Sequence, residues 1–226
     1  MVLGHTWKMR HAEVSSSVLT RLRISSRKAH GLLSALLSAL LLATLPSPAQ
    51  ESEFRQWPAG AYSFSDELGG FRITSVTGRG TRDDPVVISE EMNSASPVTL
   101  VIRTIKPIRA FDFSGDYANG YLHIRLQILN NSRLAWIEFE FELQEILHEP
   151  SLFGDGLSFD QRRTNSRTIF SDSFSEYSRD FEPYDRLLLR NGKVDPGETA
   201  TFSFLITDFT PKSQFYLVQD PRIPST

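Results

Sequence analysis

The chain has no cysteine in 226 residues, and that absence removes several chemistries at once. It forms no disulfide framework, thiolate nucleophile or thiolate metal site, and it cannot carry a lipid anchor attached at a cysteine. Histidine is scarce too. Of the five, only His123 and His148 lie beyond residue 30. Zinc sites of the ordinary kind need His or Cys in paired spacing, and "HEPSL" (148–152) offers only the first half of H-E-x-x-H. No G-x-S-x-G elbow is present. A serine hydrolase needs a base beside its nucleophile, so two isolated histidines point away from an enzyme.

Long apolar runs are missing except for one. "LLSALLSALLLATL" (32–45) spans 14 residues, about 21 Å as a helix against a hydrocarbon core of roughly 30 Å. In the basic stretch before it, Lys8, Arg10, Arg21, Arg23, Arg27 and Lys28 outnumber Glu13, and "PSPAQ" follows. This is the order of parts in a secretory signal peptide, with Ser47 and Ala49 at the small positions. We expect cleavage after Ala49 and a secreted or periplasmic product without a stable membrane anchor. An uncleaved anchor is the alternative that the short run disfavours. Met9 offers a second start, and the leader lacks the Arg-Arg pair of the twin-arginine route.

Without residues 1–49, 177 remain, enough for one domain with a real core. The leader holds six of the 24 Lys+Arg and one of the 27 Asp+Glu, which leaves 18 against 26, a net charge of −8. Phosphate contacts need clustered positive charge. The expected partner is therefore a protein or a glycan, and not a nucleic acid.

What the sequence does contain is strand grammar. Residues 50–60 read as a flexible lead-in, 61–221 as one domain and 222–226 as a short tail. Short alternating runs recur through the domain, among them "PVVISEE" (85–91), "PVTLVIRTI" (97–105) and "GYLHIRLQIL" (120–129). Turn dipeptides separate them, as in "RNGKVDPGET" (190–199). Seven to nine strands with turn signals every 8 to 12 residues predict an all-β, antiparallel, immunoglobulin-like sandwich. In "TIFSDSFSEYSRDFEPYD" (168–185), Phe170, Phe174, Tyr177, Phe181 and Tyr184 recur at four, three, four and three. That is a helical period, so the spacing predicts a short helix or an ordered loop near 168–185.

"NNSRLAWIEFEFELQE" (130–145) sets Glu138, Glu140 and Glu142 against Ile137, Phe139, Phe141 and Leu143. Alternate residues on a strand lie about 6.8 Å apart, within range for paired glycosidase carboxylates. A flat, wet face would nonetheless shift no pKa. A hairpin of 121–129 with 135–145 would place Arg125 opposite Glu138 or Glu140, whereas an immunoglobulin-like order would put the two strands in opposite sheets. By parity Trp136 falls on the glutamate side unless a bulge turns it inward. Asn130-Asn131-Ser132 matches the N-glycosylation triplet and reads equally as a turn.

No metal or cofactor is required by these patterns. Calcium is the metal that an acidic exported chain could hold, with Asp112, Asp116, Asp155 and Asp160 as candidate ligands in two turns, although neither turn has EF-hand spacing. The candidate binding surface consists of Trp136, Phe174, Tyr177 and Phe181.

"NNSRLAWIEFEFEL", "GDGLSFD", "GKVDPGETATFSFLITDF" and "FYLVQDP" together resemble a pattern in exported bacterial immunoglobulin-like β-sandwich domains of unknown function. There an Asn-Asn-Ser/Thr turn leads into a Trp-x-x-Phe strand, and a Pro-Gly-Glu turn precedes F-x-F-x-I-x-D. The resemblance covers about residues 120–221 and implies a secreted sandwich with no activity to transfer. The functional expectation is a non-enzymatic exported module, binding or associated with envelope or matrix. The alternative is a calcium-dependent carbohydrate- or matrix-binding domain.

Overall fold

Leu122, Ile124, Leu126 and Ile128 all turn inward, none more than 1% exposed, because successive strand residues point to opposite faces. A computed structural model describes residues 55–160, 168–179 and 181–224. The leader, its cleavage point, the start of the lead-in and the last two residues lie outside the described residues.

The described chain is all β, with thirteen strands in two sheets and no helix. Sheet I has the spatial order β1 (Trp57–Ala59), β2 (Tyr62–Ser65), β5 (Val98–Thr104), β13 (Gln214–Arg222), β7 (Glu138–Gln144), β11 (Arg186–Gly192) and β10 (Phe174–Ser178). Sheet II runs β3 (Phe71–Thr77), β4 (Val86–Met92), β6 (Tyr121–Asn130), β12 (Thr199–Asp208) and β8 (Leu157–Phe159), and β9 (Phe170–Ser171) also pairs with β12. All ladders are antiparallel except β4 with β6. The sandwich is the expected one, with more strands than the seven to nine read from the sequence. The surplus lies in pieces such as β1, β8, β9 and β10, two to five residues long, too short for a period of two to show. Part of the lead-in, Trp57–Ala59, already belongs to sheet I.

Aromatic side chains from the two inner faces meet at the centre. Phe139 lies 4.7 Å from Phe202, and Phe141 lies 4.9 Å from Phe204, between ring centroids. Such rings bury 150–250 Å² each and dominate core energetics.

Four local expectations change. First, β6 and β7 form no hairpin: β6 pairs with β4 and β12, while β7 pairs with β11 and β13 in the other sheet. Apolar faces can meet across the sandwich as readily as within one hairpin, so alternation alone does not assign the sheet. Arg125 therefore faces Ser203, with Nε donating to Oγ at 3.2 Å. Second, Ile137 is exposed and Trp136 is fully buried. Ile137 N–H donates to Arg222 O while Glu138 pairs with the same Arg222. This two-against-one β-bulge shifts the alternation by one residue.

Third, the glutamate stripe is not a wet face. Glu140 is only 7% exposed; Arg222 lies 2.7 Å and Arg186 3.9 Å from it, and Arg186 reaches Glu142 at 2.6 Å. Burial raises the Glu140 pKa and both arginines oppose the rise. Fourth, residues 170–178 are strands instead of a helix. Hydrogen bonds to β12 and β11 satisfy this backbone from outside the segment, overriding a local period that only side-chain spacing suggested.

Asn130 resolves the glycosylation triplet. It is fully buried, its amide donates to Leu134 O (2.9 Å) and Val194 O (3.0 Å), and its Oδ1 accepts from Ser132 N–H and Oγ–H. In the folded chain no glycan fits on it. Leu134 O and Val194 O keep other donors, Ser132 Oγ and Trp136 N. Asn130→Ala therefore orphans chiefly the Ser132 N–H, and we expect a loss of about 2 kcal/mol in urea unfolding.

Candidate functional site

A groove of about 770 Å³ is walled by the β3–β4 connection (78–85) and the β5–β6 connection (105–120). A second depression of about 450 Å³ adjoins it on the outer face of sheet II. Arg82 and His123 line both, so the two form one continuous surface. The outward positions of β6, His123 and Arg125, contribute to its floor.

Close backbone approaches set the walls. Gly60 (φ +60°) lies against the β3–β4 connection, where a Cβ would fall 2.2 Å from Arg79 O. Gly120 (φ +80°) does the same beside Asp208 O, at 2.0 Å. Any side chain there would push the walls away. Within the first wall, Arg79 N–H and Thr81 N–H both donate to Asp84 O (3.1 Å each), and the Arg79 guanidinium pairs with the Asp84 carboxylate at 2.9 Å. In the second wall Lys106 Nζ donates to Gly115 O at 2.7 Å. Phe111 stacks on Phe209 at 5.7 Å, and Phe113 leans on Tyr121 at 5.2 Å while remaining 70% exposed.

The groove's charge opposes that of the chain. Arg82, Lys106 and Arg125 line it, and among the described residues none of the three has a carboxylate partner. Asp116 is the acid in the lining. His123 has its pKa lowered, first by burial and then by the Arg82 charge, with Asp160 and Asp83 opposing. Among the described residues neither the His123 nor the His148 side chain hydrogen-bonds to a hydroxyl.

The residues singled out from the sequence separate. Trp136 and Phe174 are core residues, Phe174 stacking on Phe202 at 6.0 Å; both leave the candidate surface, Trp136 turned inward beside the bulge that precedes β7 and Phe174 by its position on β10. Tyr177 is exposed on β10, and Phe181 is half-buried in the turn before β11. Neither lines the groove, whereas Phe170 of the same segment does. Asp112 and Asp116 share the β5–β6 connection, where Asp112 accepts from Ser114 N–H and faces Arg109. Asp155 caps its own turn by accepting from Ser151 Oγ, Leu152 N and Leu157 N. Asp160, buried at φ +48°, accepts from Thr168 Oγ1.

A second charged feature surrounds Asp155. Burial raises the pKa of Asp185 to about 6 and lifts those of Asp208 and Glu145, and the Asp155 charge adds to the rise in each. Asp185 and Asp208 carried no signal in the sequence, because strand ends rich in Asp are ordinary. The groove cations were equally silent, since each arrives from a different connection. Comparison with known protein families, curated proteins and solved structures finds no match to this chain.

Proposed function

We propose that the chain is an exported, non-enzymatic β-sandwich module that binds an envelope or matrix partner through the groove on sheet II. The observation that supports it is the surface shared by Arg82 and His123, walled by two braced connections and lined by exposed rings and by cations without a carboxylate partner among the described residues. Concave sites of this size with a few convergent polar groups are ordinary ligand sites. The leader supplies the export half of the reading.

Thr81 is exposed in the groove wall, so Thr81→Trp fills the site without touching the core. On an array of neutral, amino and acidic glycans and peptides, the full-length chain retains at least one class and Thr81→Trp loses it. No retained class, or equal retention by the variant, overturns the reading.

The alternative is a calcium-dependent carbohydrate- or matrix-binding domain with Asp112, Asp116, Asp155 and Asp160 as its candidate ligands, although among the described residues no group of three or more His, Asp or Glu could hold a metal ion. A cation bound only by the folded state raises the unfolding midpoint. An unchanged midpoint between millimolar calcium and chelator removes this alternative.

A further inference from the structure

We infer that the ligand of this groove is an acidic polysaccharide, its carboxylates or sulfates held by Arg82, Lys106 and Arg125 and its sugar faces laid on Phe113, Tyr121 and Phe170. The inference rests on the binding reading above and names the ligand class.

Charge carries the first half of the argument. In a chain whose post-leader part has a net charge of −8, three cations without carboxylate partners among the described residues line one continuous surface. Clefts lined by one sign of charge concentrate ligands of the other. Seven other arginines pair with acids, as Arg103 does with Glu67 at 2.6 Å and Arg222 with Glu140 at 2.7 Å. Arg82, Lys106 and Arg125 instead gather along the groove without such a partner among the described residues, and an anionic ligand would complete them.

The rings carry the second half. Phe113 is 70% and Phe170 56% exposed, one at each end of the shared surface, and Tyr121 lies between the walls. Flat apolar rings beside hydrogen-bonding groups suit the apolar faces of pyranose rings, which present C–H bonds to one side and hydroxyls to the rim. Tyr121 and Arg125 lie four residues apart on β6, about 14 Å at the usual strand rise, so the surface suits an extended chain better than a single sugar.

Single-stranded nucleic acid also uses rings and cations. The acidic remainder of the chain opposes a polyphosphate, whose affinity depends on many contacts, whereas acidic glycans carry sparser charge.

Binding of the full-length chain to polygalacturonate, dextran sulfate, neutral dextran and a single-stranded oligonucleotide tests this directly. At least one acidic polymer should bind tenfold or more tighter than dextran and tighter than the oligonucleotide, and raising salt from 50 to 200 mM should weaken it about tenfold or more. The double substitution Arg82→Gln with Arg125→Gln should lose about tenfold, and so should Phe113→Ala. Both leave the thermal midpoint in place, because all three side chains are exposed. Arg190→Gln, on β11 of sheet I, serves as the control and changes nothing. Dextran binding as tightly as the acidic polymers overturns the ligand class and leaves the groove reading standing. So does tighter oligonucleotide binding, a salt-insensitive affinity, or no binding to any of the four while Thr81→Trp still loses its array ligand.

Discussion

Glu90→Gln raises the stability of the folded chain by about 3 kcal/mol at pH 7 and flattens its decline toward alkaline pH. Glu90 sits on β4 and points into the core with Val86, Ile88 and Met92. It is 2% exposed, and neither of its oxygens makes a well-formed hydrogen bond. Gln219 of β13, fully buried, approaches it from the opposite sheet. Burial raises the Glu90 pKa to about 8; the Gln219 amide opposes the rise and the Asp66 charge adds to it. In the unfolded chain the same group titrates near 4.5.

Because the folded value is the higher one, the folded state holds the proton. Its contribution is fully present below about 4.5 and is lost as pH rises through about 8. Each pH unit in that window costs about 1.4 kcal/mol, which gives the size expected at pH 7. Glutamine keeps the shape of the protonated acid and does not ionise. Urea unfolding at pH 5, 7 and 8.5 measures the difference. It should be small at pH 5 and greatest at pH 8.5, and equal slopes for the two proteins would refute the assignment.

The second large effect is a loss. Trp136→Ala should cost about 4 kcal/mol, in the range for a large aromatic removed from a packed core. The indole is fully buried and meets Phe139 edge-on at 5.5 Å. Phe139 in turn touches Phe141 and Phe202, so the cavity would open at the end of a connected row of rings. Trp136 Nε1 is buried without a hydrogen-bond acceptor. Trp136→Phe removes that orphan donor together with some volume, and the two effects oppose. It should therefore cost well under half as much as the alanine change. Guanidinium unfolding of the two variants gives the ratio, and a Trp136→Ala loss below about 1 kcal/mol would contradict the packing described.

Particular residues show what the sequence made legible. The inward set of β6 followed from alternation alone, and so did Phe139, Phe141 and Leu143 of β7, all fully buried. Glu90 was legible in principle, since the parity of Val86, Ile88 and Met92 points it inward, but a Glu-Glu pair at the end of a run reads as a polar boundary. Sheet membership was not legible, because β6 and β7 satisfy the same period in either sheet. The aromatic spacing of residues 170–184 matched a helix by side-chain position, while the backbone partners that decide the matter lie 10 to 33 residues away in β11 and β12. The groove lay beyond any local pattern. Arg82, Lys106, Phe113, Arg125 and Phe170 come from separate stretches, and only the fold places them on one surface.

The strand order has a consequence for how copies of this chain meet one another. Four of the five outermost strands are brief: β1 has three residues, β8 three, β9 two and β10 five. Each therefore offers a foreign chain few free backbone groups on which to template an added strand. The seven-residue β3 is the long border, and its ladder with β4 is broken between Ile73 and Ser75. Its outward side carries Arg72 and Thr74. Intermolecular strand addition at high concentration would therefore begin at β3, where a charge and an irregular register already hinder it.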